Sequence, residues 1–473
     1  MPRGAKQRVK AALGPIVRNL LPRRAVLEPE HWGLTVMPRG HLAFEGVSLA
    51  ALRGDWGSPL HVVLAERLRG NISEFLAING TGRTRAEFYY SYKSNPIPGV
   101  LRFIHASGIG AEVISEYELW LALKLGVPTD RIVFNGPAKS VASVRDAVGR
   151  SIMLLNVNHR EEIAVVASAA RELCKRPRVG VRAAPSAGWS GQFGLPIGTG
   201  EAFAALKEVH ESGVLELTAL QCHVGGMVRC AHHVQGYVRE VLALADRVKT
   251  ELGVELAILD FGGSLATPTV AQIGELDRRL SITFQAPLPA PVPEATLPIR
   301  EYVRCVVEQV EAHYAANARP CPRIFFEPGR AMTGNTQVLI ASVLSLKAGE
   351  PKPGWAILDA GINVAECART EFHQIFPATR MHEARAHRYR LAGPICSPGD
   401  VLSWSACLPE LAVGDALAIM DAGAYFVPFA TSFSFPQPAV VMLEGAKVRL
   451  LRRAERFEDI VALDEMGEQY ASN

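Results

Sequence analysis

The residues able to do chemistry fall in short segments that each follow an apolar run. Lys93 stands in Tyr92-Lys93-Ser94-Asn95-Pro96, directly after Glu87–Tyr92. A lysine at a strand end, pointing into a barrel mouth, is desolvated and loses basicity, which suits a Schiff-base nucleophile. Taken alone, it also reads as a surface lysine beside a proline turn. His223-Val224-Gly225-Gly226 follows Ala219–Cys222, and Asp260-Phe261-Gly262-Gly263-Ser264 follows Leu256–Leu259. Small-residue turns at strand ends let backbone N–H groups approach a phosphate, although a merely tight turn has the same composition. Arg323–Phe326 leads into Glu327-Pro328-Gly329-Arg330, a carboxylate at a strand end and a guanidinium three residues on. Arg330 can clamp a phosphate. Glu327 can serve a ring nitrogen or simply pair with Arg330. Further along, Gly393-Pro394-Ile395-Cys396-Ser397-Pro398-Gly399-Asp400 carries a thiol at a turn, and Asp421-Ala422-Gly423-Ala424-Tyr425 a tyrosine after a glycine. By itself Cys396 reads as a buried small apolar residue. Cys230-Ala231-His232-His233 has metal-ligand residue types but no second cluster, so it reads as a helix start or loop.

The elements that must position these residues alternate. Strands are expected at Leu60–Leu64, Glu87–Tyr92, Arg131–Phe134, Met153–Leu155, Val179–Arg182, Ala219–His223, Leu256–Phe261 and Arg323–Glu327. Helical stretches such as Ser115–Leu125 and Glu161–Arg176 lie between them. About eight such alternations predict an α/β fold, a (β/α)8 TIM-like barrel over residues 58–335, with its active site at the C-terminal strand ends. From 336 to 473 the pattern becomes strands joined by Gly, Pro and Asp turns: Val338–Leu346, Trp355–Ala360, His387–Ala392, Ala416–Met420 and Ala439–Leu443. That predicts a second, C-terminal β-rich domain. Residues 25–57 read as short strands and turns that contribute to it, and Gln285–Pro298, rich in proline and alanine, as a surface loop.

The 473 residues are 48% hydrophobic and 21% charged, enough for two sizeable cores. A net charge of +3 is too small to argue for nucleic acid. The basic residues concentrate in an arm over 1–24 (Arg3, Lys6, Arg8, Lys10, Arg18, Arg23, Arg24), interleaved with apolar ones at helical spacing. A docking or poorly ordered arm is favoured there over membrane attachment. No apolar run approaches the ~20 residues of a membrane span, and the first residues lack the apolar core of a secretory signal. The eight cysteines include no C-x-x-C pair, so reduced thiols in a cytoplasm are expected.

Taken in order, the segments over about 58–440 resemble pyridoxal-phosphate (PLP) enzymes of the alanine-racemase-like fold. The resemblance is strongest to the diaminopimelate, ornithine and arginine decarboxylases. It implies PLP as cofactor, an amino-acid substrate and a homodimer with shared active sites. It also implies residue roles. Lys93 carries the cofactor, and His223 stacks on its ring. Gly262, Gly263, Arg330 and Tyr425 hold the phosphate, with Gly226 and Ser264 beside them. Glu327 pairs with the pyridine nitrogen. Glu112 and Arg182 occupy the places of a family aspartate and arginine, and Cys396 comes from the partner subunit. A carboxylate at the ring nitrogen keeps the pyridine protonated and the electron sink strong. Racemases of the fold typically place an arginine there, so Glu327 favours decarboxylation. Cys396 or Lys93 would then supply the proton.

The sequence departs from that family at informative places. Gly226 stands where many relatives have serine, and Ser264 replaces a third glycine. Relatives acting on diamino acids carry an acid just after the cysteine; here the residue is Ser397. Asp359-Ala360-Gly361-Ile362-Asn363 resembles the diaminopimelate enzymes, but the following Arg-Pro is absent, leaving Glu366 and Arg369 as candidate substrate residues. The expectation is therefore a substrate that is not a simple diamino acid, as in siderophore or other secondary metabolism. A racemase or epimerase of the same fold, and an inactive regulatory homologue, are the alternatives.

Overall fold

Eight parallel strands close into a barrel: Ala86–Ser91, Gly110–Val113, Ile132–Phe134, Leu154–Val157, Arg178–Ala184, Glu216–Cys222, Ile258–Asp260 and Arg323–Phe326. Each pairs with the next, and the last returns to the first through Ile324 opposite Ala86. The computed structural model describes residues 3–21, 27–78, 86–188, 191–226, 228–348 and 354–465, with side chains from residue 12 onward. The chain divides into two compact units, one of Leu68–Pro268 and Val292–Gly334, the other of Met1–Arg67, Thr269–Pro291 and Asn335–Asn473. Among the described residues, no helix is long and apolar enough to cross a membrane.

The barrel floor is apolar: Tyr89, Val133, Leu154, Ala219, Ile258 and Phe325 form one buried cluster. Two strand glycines let neighbouring strands approach. A Cβ on Gly110 would sit 2.5 Å from the Tyr89 ring, and one on Gly180 would sit 2.0 Å from Asn156 Oδ1 and 3.0 Å from the Ala219 Cβ.

The second unit is built around the strand Gln337–Lys347, which is antiparallel to Leu60–Leu64, Gly354–Leu358 and Ala416–Ile419. Its side chains alternate between two cores, as the period of two requires. Val338 and Ile340 enter one, with Trp32, Leu42 and Phe44; Leu339, Ala341 and Val343 enter the other. Ala439–Glu444 lies parallel to Leu60–Leu64, and Val401–Leu408 antiparallel to His387–Ala392.

Two assignments read from the sequence are corrected. Leu60–Leu64 is not a barrel strand; it is a central strand of the β unit, buried along its whole length. A strand covered on both faces is uniformly apolar in either setting, so its pattern does not separate the two. The barrel strand that was not expected is Gly110–Val113, where Glu112 interrupts the apolar run. The 285–298 segment is irregular, with a short 3-10 turn at Pro293–Ala295, and Cys230 immediately precedes the helix Ala231–Leu252. The N-terminal arm is a helix, Arg3–Leu20. Buried Gly14 and the bond from Arg18 Nη1 to the Phe284 carbonyl (2.6 Å) dock it on the helix Glu275–Phe284. Arg23 and Arg24 lie outside the described residues.

Gly180→Ala is expected to cost about 1–3 kcal/mol, because its Cβ has nowhere to go without moving Asn156. A denaturant midpoint equal to that of the unchanged protein would show that the strands can part at this point.

Candidate active site in the barrel mouth

The polar residues in the barrel converge on two buried carboxyls. Glu112, from the second barrel strand, accepts from Lys93 Nζ (3.0 Å) and Ser91 Oγ (2.5 Å) on Oε2. Its Oε1 accepts from Asn135 Nδ2 at 3.0 Å. The same Asn135 nitrogen donates to Glu327 Oε1 at 2.5 Å, at the end of the eighth strand. Gln221 Nε2 approaches Glu327 Oε2 at 3.3 Å, and Asn156 Nδ2 donates to Asn135 Oδ1 at 2.8 Å. One amide thus bridges Glu112 and Glu327 and is itself held by a second amide.

Burial pushes the Glu327 carboxyl well above the ordinary range, and the neighbouring charges of Asp260 and Glu112 push it the same way. Asp260 is also raised, chiefly by burial. Arg182 stands among these acids; burial lowers its basicity, while Glu327 and Glu112 restore part of it. Its guanidinium lies 5.0 Å from the Phe193 ring centroid. His223 is pushed down to about 3 by burial, then by the positive charges of Arg182 and Lys93, so its ring is neutral near pH 7. Its Nδ1 accepts from the Gly263 N–H at 3.2 Å, which leaves the proton on Nε2.

Some expected residues stand differently from their sequence reading. Lys93 is not deeply desolvated: its side chain is 36% exposed, and its ammonium is paired with Glu112. The N–H groups of Gly262 and Gly263 do not point outward. They bond Asp260 Oδ1 (2.9 Å) and His223 Nδ1, because the turn folds back on its own strands. Both positions need glycine. Gly262 has φ +62°, and a Cβ on Gly263 would lie 1.9 Å from the Glu327 carbonyl oxygen. Ser264 is fully buried, and its hydroxyl accepts from the Val224 N–H at 3.2 Å, tying the two turns together. Gly226 faces open space. Arg330 begins the short helix Arg330–Thr333 directly after this strand end.

The remaining candidates belong to the β unit. Cys396 is exposed rather than buried, since it tips a loop that Asp400 holds from inside. Asp400 Oδ2 accepts from the Ile395 N–H (3.0 Å) and Oδ1 from the Ile362 N–H (2.8 Å). The Ser397 hydroxyl accepts from the Gly399 N–H within this loop. Tyr425 adopts a left-handed conformation with φ +68° and stacks on Phe429. Arg369 and Glu366 pair with one another at 2.7 Å on the surface.

Sequence reasoning missed Ser91, Asn135, Asn156 and Gln221 as site residues. Each had a readable signal, a polar side chain in or just after an otherwise apolar strand. Among the described residues, no group of His, Cys, Asp and Glu side chains can hold a metal ion.

The donor set fits PLP. Gln221 Oε1 and Asn156 Oδ1 are buried acceptors without a donor, beside an acid whose ionisation a cationic ring N–H would favour. A parallel barrel whose mouth carries a strand-end lysine, a neutral histidine and such an acid defines a PLP-binding barrel. The chain matches the family model "Pyridoxal-dependent decarboxylase, pyridoxal binding domain" over residues 72–334 and belongs to that family. It is similar to the diaminopimelate decarboxylase of Aquifex aeolicus, 28% identical across 89% of this chain and 95% of that one. The Vibrio cholerae enzyme of the same name is also 28% identical, across 90% and 97%. A solved Aquifex aeolicus structure superposes with TM-score 0.76 at 27% identity, covering 92% of this chain and 99% of the other. The diaminopimelate decarboxylase structure from Methanocaldococcus jannaschii shares the fold, with TM-score 0.80 at 24% identity and 92% and 98% coverage. The protein is a PLP-dependent amino-acid decarboxylase, a carboxy-lyase.

Glu118 gives this mouth a pH-dependent stability. Burial, then the charge of Glu112, raises its carboxyl to about 7. A raised folded-state value means that the stability is full below about 4.5 and is lost as pH rises through about 7. Glu118→Gln should therefore gain on the unchanged protein as pH climbs from about 4.5 to 7 in denaturant titrations. A stability difference independent of pH over that range would contradict the assignment.

Proposed function

We propose that the barrel mouth around Lys93 is where this decarboxylase holds its cofactor and labilises the substrate carboxylate. Glu327 carries the reading: a buried acid at a strand end, fixed by Asn135, ready to pair with a ring nitrogen. Lys93 would hold the cofactor covalently, the neutral ring of His223 would stack on it, and Arg330 would take its phosphate. Gly262, Gly263 and Ser264 shape the turn rather than bind the phosphate. Bound PLP supplies an electron sink for the pair left on Cα when carbon dioxide departs. Glu112 would orient the Lys93 nitrogen toward the cofactor. Arg182 offsets the negative charge of the acids below. Cys396, exposed at its loop tip, is the proton donor to Cα, contributed by a homodimer in which each copy completes its partner's site. Eight cysteines with no C-x-x-C pair among them support a reducing compartment, the cytoplasm.

The relatives' name, diaminopimelate decarboxylase, favours a diamino acid as substrate. One feature of this chain favours a neutral, acidic or conjugated amino acid instead. Ser397 cannot neutralise a distal ammonium, and Glu366 is already paired with Arg369. A site lacking the group that meets a polar substrate atom loses much of its discrimination.

Borohydride reduction of the holoenzyme, followed by peptide mass mapping, should fix a pyridoxyl group on Lys93, and Lys93→Ala should abolish the cofactor's visible absorbance. A pyridoxyl group on any other lysine refutes the assignment. Glu327→Gln should retain the cofactor yet lower kcat at least about a hundredfold. For the substrate, kcat/KM for meso-diaminopimelate should fall at least about a hundredfold below that of the best neutral or acidic amino acid. Efficient turnover of meso-diaminopimelate would settle in favour of the relatives' substrate.

A further inference from the structure

The β unit contains a cavity of about 680 Å3 that the decarboxylase chemistry leaves without a role. Its lining comes from the N-terminal helix, the segment after residue 286 and the sheet, and includes no barrel strand. Its volume is that of a small-molecule site. Arg18, Arg385 and Arg388 all line it. Arg18 Nη1 donates to the Phe284 carbonyl, and Arg388 Nη1 donates to the Gln285 carbonyl (2.7 Å) and Ser405 Oγ (3.1 Å). These bonds cap the helix Glu275–Phe284 and give both side chains a structural reason to be there. They engage one nitrogen of each guanidinium. Among the described residues, no carboxylate lies within ion-pair distance of Arg18, Arg385 or Arg388.

Two guanidiniums close enough to repel, partly withdrawn from water and with no acid at ion-pair distance among the described residues, are unfavourable by themselves. Arg18 shows this: burial, then the charge of Arg388, lowers its basicity. His373 adds a further polar atom. The residue is 92% buried; Nδ1 bonds the Met420 carbonyl at 2.9 Å, and Nε2 has no hydrogen-bond partner. Glu371 is the acid in the lining, and its Oε2 lies 3.7 Å from that Nε2. Leu288, Phe372, Ile375, Leu402 and Ile419 give the cavity an apolar wall, beside the polar Asn19 and Gln374.

We propose that this cavity binds an amphipathic organic anion, with Arg18 and Arg388 gripping a carboxylate or phosphate head and the apolar wall taking its hydrocarbon body. Guanidiniums suit such heads because their planar N–H pairs match the oxygen pairs. The inference gives the basic N-terminal arm a task, and it stands apart from the reading of the barrel site.

Isothermal titration of the holoenzyme with octanoate and with octyl phosphate tests it. At least one should bind saturably, and inorganic phosphate at least tenfold more weakly. Arg18→Gln and Arg388→Gln should each weaken binding about tenfold or more. Ser403→Phe adds bulk at a lining residue that bonds neither arginine directly and should abolish binding while the visible absorbance of bound PLP stays unchanged. Stronger binding of octanoate than of octyl phosphate would mark the head as a carboxylate, and the reverse order as a phosphate; either supports the site. No saturable binding, binding equal to that of inorganic phosphate, or binding indifferent to all three substitutions would overturn it and leave the arginines as helix caps.

Discussion

The bridge that Asn135 makes between Glu112 and Glu327 is the interaction on which the barrel mouth depends. Two carboxyls inside a barrel are costly unless donors satisfy them. One NH2 group meets an oxygen of each acid, at 3.0 and 2.5 Å, and Asn156 fixes that amide in turn. Removing the bridge would leave two acids facing each other with one donor fewer, a heavier loss than that of a single hydrogen bond. One strand glycine follows from the same constraint. Gly180 is bare because Asn156 needs the space that a Cβ would fill.

The bridge also connects the two halves of the chemistry. On one side Glu112 holds the Lys93 ammonium at the rim. On the other, Glu327 is buried and held by Asn135 and Gln221. The same burial that raises its pKa makes it responsive to a cation. In the proposed function, a proton held at the ring nitrogen and a lysine held at the rim are the two conditions for an amino acid to lose carbon dioxide here. The neutral His223 between them contributes a flat face without adding charge.

Much of this was legible in the sequence, because the ends of barrel strands carry motif residues at fixed places. Lys93, His223, Glu327 and Arg330 each follow a strand or begin the turn after one. The polar network was harder to see. Asn135, Asn156 and Gln221 act through one another, and only the closed barrel brings strands from distant parts of the chain together. Leu60–Leu64 was misread because a strand covered on both sides has the same pattern in a barrel as in a sheet. Gly110–Val113 was passed over for the opposite reason, since its one charge belongs to the site. The glycine turns were located correctly and their N–H groups misassigned, because the direction of an N–H depends on backbone angles that composition does not give. Cys396 was read alone as buried; the neighbouring Asp400, by bonding the loop from within, turns it outward.

In the proposed function, the acid held by Asn135 commits this barrel to removing a carboxylate rather than a proton from Cα. Turnover of a single-enantiomer amino acid in deuterium oxide, followed by NMR, tests it directly. The predicted result is carbon dioxide and amine in equal amounts, one solvent deuteron at the former Cα, and unreacted substrate with its chirality and Cα proton intact. Epimerised or Cα-deuterated substrate without carbon dioxide would contradict it.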